Sequence, residues 1–124
     1  MKKFIVLFLL SFILFSCEGS ESYQGNWKAV DKNGNKFEIA FKPKSFSVKD
    51  SVGKIVQYDY SQNSVKYENT VETYGIRLKD GRGYQIYFPK NDESAGLILD
   101  ENGSPVYTIS RTQFLTYDDI YKLN

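Results

Sequence analysis

The stretch YGIRLKDGRGYQIYF (residues 74–88) contains two short runs of alternating apolar and polar side chains, separated by an Asp-Gly pair. Tyr74 and Ile76 mark one face of the first run, and Tyr84 and Ile86 mark one face of the second. A period of two places successive side chains on opposite faces of an extended strand. The Asp-Gly pair supplies the positive φ angles of a tight hairpin turn. The stretch therefore predicts a β-hairpin with one buried face.

The same alternation continues through most of the chain. Further alternating runs are KFEIAFK (36–42), SFSVKD (45–50), VQYDY (56–60), SVKYE (64–68), GLIL (96–99) and PVYTISR (105–111). Compact turn clusters separate the runs: DKNGN (31–35), KDSVGK (49–54), SQNS (61–64), KDGRG (79–83), PKNDES (89–94) and DENGS (100–104). Eight or nine short strands at a spacing of about ten residues predict an all-β fold. We expect a single small antiparallel meander that closes into a barrel or a sandwich, with the barrel favoured.

The last stretch of the chain has a different pattern. Thr116 can cap a helix, and the two aspartates after Tyr117 fall in the positively polarised first turn. Leu115 and Ile120 occupy the two positions of a hydrophobic staple. These features predict one short C-terminal helix from about Tyr117 to Leu123.

The N-terminus is typical of a signal peptide. Met1-Lys2-Lys3 is followed by twelve residues interrupted only by Ser11, well short of the roughly 20 needed to span a bilayer. LFSC (14–17) then resembles the lipobox of bacterial lipoproteins. The resemblance implies cleavage before Cys17 and acylation of this cysteine, so that acyl chains on Cys17 hold the protein to a membrane.

These features divide the chain into three parts. Residues 1–16 are the predicted signal peptide, 17–22 the lipidated cysteine and a tether, and 23–124 a β-barrel domain with its C-terminal helix. Removing 16 of 124 residues leaves 108, enough for one domain. The tether is polar and has no apolar pattern, so we expect it to be flexible. Glu18 stands where the lipoprotein family uses aspartate for inner-membrane retention, which implies a lipid-anchored protein of the bacterial envelope, at the outer membrane.

A second resemblance covers residues 23–111. Gly25-Asn26-Trp27 is similar to the Gly-x-Trp start of lipocalin-type barrels, and Arg111 matches the arginine that this family packs across the tryptophan. The Thr-Asp-Tyr signature of true lipocalins is missing, so the resemblance is to the wider group of small bacterial lipocalin-like lipoproteins. It implies that Trp27 and Arg111 close the barrel, with the guanidinium within about 6 Å of the indole. Such a barrel is either filled by side chains or holds one small ligand.

Composition argues against several chemistries. The chain has no histidine and one cysteine, so a serine nucleophile has no ordinary base and the usual zinc ligands are missing. We therefore expect no enzyme activity, no metal site and no cofactor. The adjacent pair Asp118-Asp119 is better explained by helix capping than by catalysis. Loss of Lys2 and Lys3 with the signal peptide reduces the 16 basic side chains to 14, against 15 acidic ones. The mature chain therefore has a net charge near −1, which argues against a nucleic-acid partner.

All ten tyrosines follow Cys17. Strand phase places six of them on the inward face, namely Tyr58, Tyr60, Tyr67, Tyr74, Tyr84 and Tyr107, and puts Tyr87 on the opposite face. The inward tyrosines are either core residues whose hydroxyls reach the barrel rims or the lining of a pocket. The short strands favour the first interpretation and a mostly filled barrel. We expect at most a shallow mouth bordered by Tyr58, Tyr60, Tyr67 and Tyr74.

Two classes of function remain. The first is an envelope-anchored, non-catalytic binding module for a small amphipathic ligand or another envelope protein, in the periplasm or at the outer membrane. The alternative is a periplasmic inhibitor or immunity protein that neutralises a toxin or hydrolase by protein–protein contact. A ligand carrier needs a cavity of about 300 Å³ or more. An inhibitor needs an exposed patch rich in Tyr, Phe or Arg, for which Tyr87 is a candidate.

Overall fold

A computed structural model of the chain describes residues 18–69, 71–90 and 92–121. The predicted signal peptide (1–16) and Cys17 lie outside the described residues. The elements are β1 (Gly25–Asp31), β2 (Lys36–Phe41), β3 (Ser45–Lys49), β4 (Ile55–Glu68), β5 (Val71–Leu78), β6 (Gly83–Phe88), β7 (Ala95–Asp100), β8 (Pro105–Ser110) and a helix, α1 (Tyr117–Tyr121). The eight strands form a closed barrel in sequence order, and each strand is antiparallel to its neighbours, including β8 to β1. The predicted all-β meander barrel with a short C-terminal helix is confirmed.

One predicted turn is wrong. The runs VQYDY and SVKYE belong to a single 14-residue strand, β4, and residues 61–64 continue that strand instead of reversing the chain. A β-bulge between Gln62 and Ser64 shifts the register against β5, because one extra residue is accommodated there. Because of this extra residue, inward side chains fall at even positions before the bulge and at odd positions after it. Tyr60 therefore lies opposite Leu78, and Val65 lies opposite Tyr74.

Four short turns of one design surround one end of the barrel, which we call the mouth end. They are residues 31–35, 50–54, 78–82 and 100–104. In each turn the first backbone N–H donates to the carbonyl of the fifth residue, and the fourth residue is a glycine with positive φ, such as Gly34 at 85°. In three of them the Oδ1 of a leading aspartate also accepts from two backbone N–H groups, as Asp31 does from Asn33 and Asn35. These internal hydrogen bonds explain why such short polar clusters reverse the chain.

The N-terminal segment 18–24 packs across the opposite end, which we call the closed end. The Gly19 N–H donates to the Pro43 carbonyl at 2.8 Å, and Tyr23 is completely buried. The segment expected to be a flexible tether is therefore held against the barrel from Gly19 onward. Residues 19–22 thus contact the barrel, while the division of the chain at residue 23 stays a prediction.

Trp27 and Arg111 lie together where β1 meets the end of β8. The guanidinium carbon of Arg111 is 3.7 Å from the centroid of the indole, inside the 6 Å expected. The same guanidinium donates to the carbonyls of Asn26 and Ser22 at 3.2 and 3.3 Å. The tryptophan itself is buried in the core, and its Nε1 donates to the Tyr23 carbonyl at 2.8 Å. This contact ties β1, β8 and the N-terminal segment together.

A small second cluster lies on the outside of the barrel. Val30, Leu97 and Thr108 pair across adjacent strands on the outward phase, yet all three are buried. The helix α1 contacts β7 and β8, and its Ile120 is also buried. The C-terminal segment therefore covers this part of the outer face.

The cap of α1 has the expected form. Thr116 Oγ1 accepts from the Asp119 N–H, and the Thr116 N–H donates back to Asp119 Oδ2 at 2.9 Å. The predicted end of the helix at Leu123 lies outside the described residues. In the described part of the chain, no helix has the length and apolarity to cross a membrane.

Candidate functional site

The barrel contains a cavity of about 310 Å³ that opens at the mouth end. Its wall is built from apolar side chains that point inward from β2, β3, β5 and β7: Ile39, Phe41, Phe46, Ile76, Leu78 and Ile98. Its entrance carries the polar groups: Asp50, Lys54, Tyr58, Arg82, Tyr84 and Tyr107. The cavity is therefore apolar inside and polar where it meets solvent.

The position of the cavity follows from the sizes of the inward side chains. Trp27, Tyr23 and Phe88 are completely or almost completely buried near the closed end and fill it. Toward the mouth end, the smaller Val48 and Val56 pair across β3 and β4 at inward positions, and the aromatic rings of the other strands stand around the entrance. The same alternating pattern therefore yields a filled half and an open half of one barrel.

Aromatic rings line the entrance. Tyr58 stacks on Phe46 with ring centroids 5.2 Å apart, and Tyr107 meets Phe37 edge-on at 5.3 Å. Burial raises the pKa of Tyr107, and the nearby Tyr58 hydroxyl adds to this effect. These rings give the entrance apolar surface together with hydroxyl groups that can donate or accept hydrogen bonds.

Arg82 carries a fixed positive charge at the entrance. Its Nε and Nη2 donate to the two oxygens of Asp80 at distances of 2.8–3.2 Å, and its guanidinium carbon lies 5.3 Å from the Tyr58 ring centroid. The hydrogen bonds from Arg82 lower the pKa of Asp80. Lys54 approaches the same cavity from the β3–β4 turn. An anionic or strongly polar group at the entrance would meet both cations.

The five tyrosines predicted as binding residues do not share one mouth. Tyr58 lines the cavity entrance, whereas Tyr60 and Tyr74 are buried at the closed end. Tyr67 lies on the part of β4 beyond the bulge and is 66% exposed. Tyr87 is half-buried on the outer face, opposite Leu97. The predicted mouth does not form, because Tyr60, Tyr67 and Tyr74 all lie toward the closed end of the barrel and not at the entrance.

At the closed end, the tyrosine hydroxyls all have partners. Tyr23 donates to Gln62 Oε1 at 2.8 Å and Tyr60 to the Lys42 carbonyl at 2.6 Å. Tyr74 donates to a Glu72 oxygen at 2.7 Å. The inward hydroxyls therefore gather at the two ends of the barrel, and none of the buried side-chain polar atoms of the described residues lacks a partner.

These buried hydroxyls predict loss of stability in alkali. Burial raises the pKa values of Tyr23 and Tyr74, and raises the pKa of Tyr60 to about 12. An unfolded tyrosine ionises near pH 10, so the stabilisation is complete below that pH and is lost as the pH rises through the folded values. The free energy of unfolding, from urea titrations at increasing pH, should be flat near pH 8 and fall above about pH 10.

The variant Tyr60→Phe should weaken this alkaline dependence, whereas Tyr87→Phe on the outer face serves as the matched control. Tyrosinate absorbance measured on the folded protein checks the cause. If all ten tyrosines ionise together near pH 10 while the circular dichroism stays native, burial does not control these groups.

Two site residues escaped prediction although the sequence carries a signal for each. Tyr23 lies four residues before Trp27, so the alternation of β1, if continued, places it on the same inward face. It was missed because the polar residues directly before it were assigned to the tether. Arg82 likewise lies two residues before Tyr84, but it belongs to the predicted turn cluster KDGRG (79–83) and was therefore not assigned to a strand. Both signals lie beyond the ends of their strands, where phase alone is a weak guide.

The described residues contain no group of three or more acidic, histidine or cysteine side chains placed to hold a metal ion. Comparison of the chain with protein-family models, with curated proteins and with solved structures gives no match.

Proposed function

We propose that this protein is an envelope-anchored, non-catalytic binding module that holds a small amphipathic ligand in its barrel. The observation that carries the proposal is the 310 Å³ cavity with an apolar wall and a polar entrance. Ligand pockets usually combine apolar lining with a few polar groups that orient the ligand. The anchor is the acyl group expected on Cys17, and the outer membrane is the expected location.

The size of the cavity limits the buried part of the ligand. A water molecule occupies about 30 Å³ in the liquid, so 310 Å³ accommodates about ten non-hydrogen atoms. This fits one alkyl chain of medium length or one substituted ring. The polar end of such a ligand then lies at the entrance, where Tyr58, Lys54 and Arg82 can contact it.

The residues around the cavity support binding more than catalysis. The sequence contains no histidine to serve as a general base, and Cys17 is assigned to the anchor. Asp80 is already neutralised by Arg82, and Asp50 Oδ1 accepts from the N–H groups of Val52 and Lys54. The acidic groups near the entrance therefore already have structural roles.

The alternative of an inhibitor or immunity protein has weaker support. Tyr87, its candidate contact residue, is half-buried beside Leu97 instead of protruding. Among the exposed aromatic residues of the described part of the chain, Tyr67 is 66% exposed and Tyr117 46%, and Tyr67 lies at the closed end, where the N-terminal segment packs. The expected anchor on Cys17 is only two positions before Gly19, which packs at that end, so a protein partner there would compete with the membrane for space.

The proposal is tested by titrating the protein with straight-chain carboxylates from hexanoate to hexadecanoate. The test should use a soluble form that begins at Glu18, because it lacks the apolar residues 4–15 and the acylated cysteine and needs no detergent, which would compete for the cavity. Burial of each added methylene contributes about 0.8 kcal/mol to the binding free energy, so affinity should rise about fourfold per carbon. It should level off once about ten atoms fill the cavity. Displacement of a fluorescent apolar probe or isothermal calorimetry measures the dissociation constants.

A pair of variants locates the binding. In Val48→Trp the indole projects into the cavity and should weaken binding by at least about tenfold, or 1.4 kcal/mol. In Ile55→Trp the same side chain replaces a residue that is 62% exposed on the outer face, and binding should be unchanged. Equal affinities in these two variants, with both folded by circular dichroism, would contradict binding in the cavity.

A further inference from the structure

The first described residues are fixed firmly to the closed end of the barrel. The Gly19 N–H donates to the Pro43 carbonyl at 2.8 Å, and the Ser20 N–H donates to Gln62 Oε1 at 2.9 Å. The Gln24 side-chain amide donates to the Gly19 carbonyl at 2.6 Å. Three hydrogen bonds therefore hold a segment whose composition predicts flexibility.

Gly19 also fits a space that admits no side chain. A Cβ at this position would collide with the Tyr60 hydroxyl and lie 2.9 Å from the Tyr23 hydroxyl oxygen. Both tyrosines belong to the buried core. The backbone of Gly19 therefore packs directly on the core, and this contact fixes the position of Gly19 on the barrel.

The distance from this fixed point to the expected anchor is very short. Only Glu18 separates Gly19 from Cys17, and two residues of extended chain span at most about 7 Å. By contrast, β1 alone, with seven residues, covers about 20 Å between the closed end and the mouth end. An acylated Cys17 therefore has to lie near the closed end.

A second feature marks the same end. The β4–β5 hairpin extends past its neighbour β3, which pairs with β4 only as far as Asp59. On the extension, Tyr67 is 66% exposed and Val65 is 45% exposed, with the exposed Lys66 between them. Tyrosine and lysine beside an apolar residue suit the boundary between lipid headgroups and acyl chains.

The charges at this end nearly cancel. The segments at the closed end carry five basic and six acidic side chains: Lys42, Lys44, Lys66, Lys90, Arg111, Glu18, Glu21, Glu68, Glu72, Asp92 and Glu93. Attraction to anionic lipid therefore contributes little there, and the anchor with the exposed apolar and aromatic surface decides the orientation.

We propose that the closed end of the barrel rests on the lipid bilayer, with Tyr67 in the headgroup region, and that the cavity opens away from the membrane. This inference rests on the proposed acylation of Cys17. Its consequence is that ligands reach the cavity from the aqueous side and not by lateral transfer from the bilayer beneath.

The test uses two single labels on the lipidated protein. Cys17 is the only cysteine and is blocked by the anchor, so a cysteine introduced elsewhere is the one reactive thiol. Tyr67→Cys and Val52→Cys place a fluorophore at the closed end and on the mouth-end turn, where Val52 is 86% exposed. The proteins are reconstituted into phosphatidylcholine vesicles that contain a nitroxide-labelled lipid as quencher.

The label at position 67 should be quenched severalfold more than the label at position 52, with the same ratio when anionic lipid is added. Equal quenching, or stronger quenching at position 52, would overturn the orientation. Flotation of the vesicles reports the anchor separately. A chain that does not float contradicts the anchor, whereas a chain that floats with equal quenching contradicts the orientation alone.

A further pair of variants tests the fixed segment. Gly19→Ala should displace the segment from the core and bring the quenching ratio toward one while flotation is retained. Glu21→Ala, at an exposed position of the same segment, should keep the ratio of the parent protein. An unchanged ratio in Gly19→Ala, with native circular dichroism, would contradict the role of this segment in orientation.

Discussion

Replacing Cys17 with Ala is expected to move the protein completely from the membrane fraction to the soluble fraction. Each buried methylene of an acyl chain contributes about 0.8 kcal/mol, and two or more chains together anchor a protein stably. Without the cysteine, the lipobox-like LFSC (14–17) has no acceptor for lipid. Fractionation of cells that express the two forms, followed by immunoblotting, measures the change.

Mass spectrometry of the mature protein supplies the chemical check. We expect an N-terminus at Cys17 whose mass includes acyl chains. A Glu18→Ala variant keeps the cysteine and should stay in the membrane fraction, which controls for damage near the cleavage site. An unmodified Cys17, or a mature chain that still begins at Met1, would refute the anchor.

Replacing Trp27 with Ala is expected to lower the free energy of unfolding by about 3–5 kcal/mol. The ring is 1% exposed, packs beside Phe88 and lies under the Arg111 guanidinium at 3.7 Å. Its removal leaves a cavity and deprives the Tyr23 carbonyl of the indole N–H. Small domains are stable by only about 5–15 kcal/mol, so this single change removes a large share. Urea denaturation measures the loss.

A double-mutant cycle separates the cation–π contact from the packing. Trp27→Leu keeps apolar packing without an aromatic ring, and Arg111→Ala removes the cation. The coupling between Trp27 and Arg111 should be about 0.5–2 kcal/mol. If Trp27→Ala lowers the free energy of unfolding by less than about 1 kcal/mol, the contact between Trp27 and Arg111 does not hold the barrel closed.

The fold was largely predictable because its signals are local. Alternation with a period of two sets which face of each strand is buried, and the glycine turns set where the chain reverses. The error at residues 61–64 has a physical reason. Ser and Asn are typical of turns, but this cluster lacks a glycine or proline to force a reversal, and the strand absorbs the extra residue as a bulge.

The cavity was harder to predict because it depends on how side-chain volumes add up across strands. Phase correctly placed both Tyr58 and Tyr60 inward, yet one borders the entrance and the other seals the opposite end. Which end a long side chain reaches depends on the stagger of the strands, which no local pattern encodes. For the same reason the free space beside Val48 became visible only in the assembled barrel.

Nuclear magnetic resonance of isoleucine methyl groups tests the central claim most directly, because the isoleucines sample different parts of the barrel. Ile39, Ile76 and Ile98 line the cavity, whereas Ile55 is exposed on the outer face and Ile120 belongs to the helix α1 and is buried outside the cavity. With decanoate bound, we predict intermolecular nuclear Overhauser effects from its chain to Ile39, Ile76 and Ile98. Contacts only to Ile55 or Ile120, or no saturable binding at all, would contradict a ligand-binding barrel.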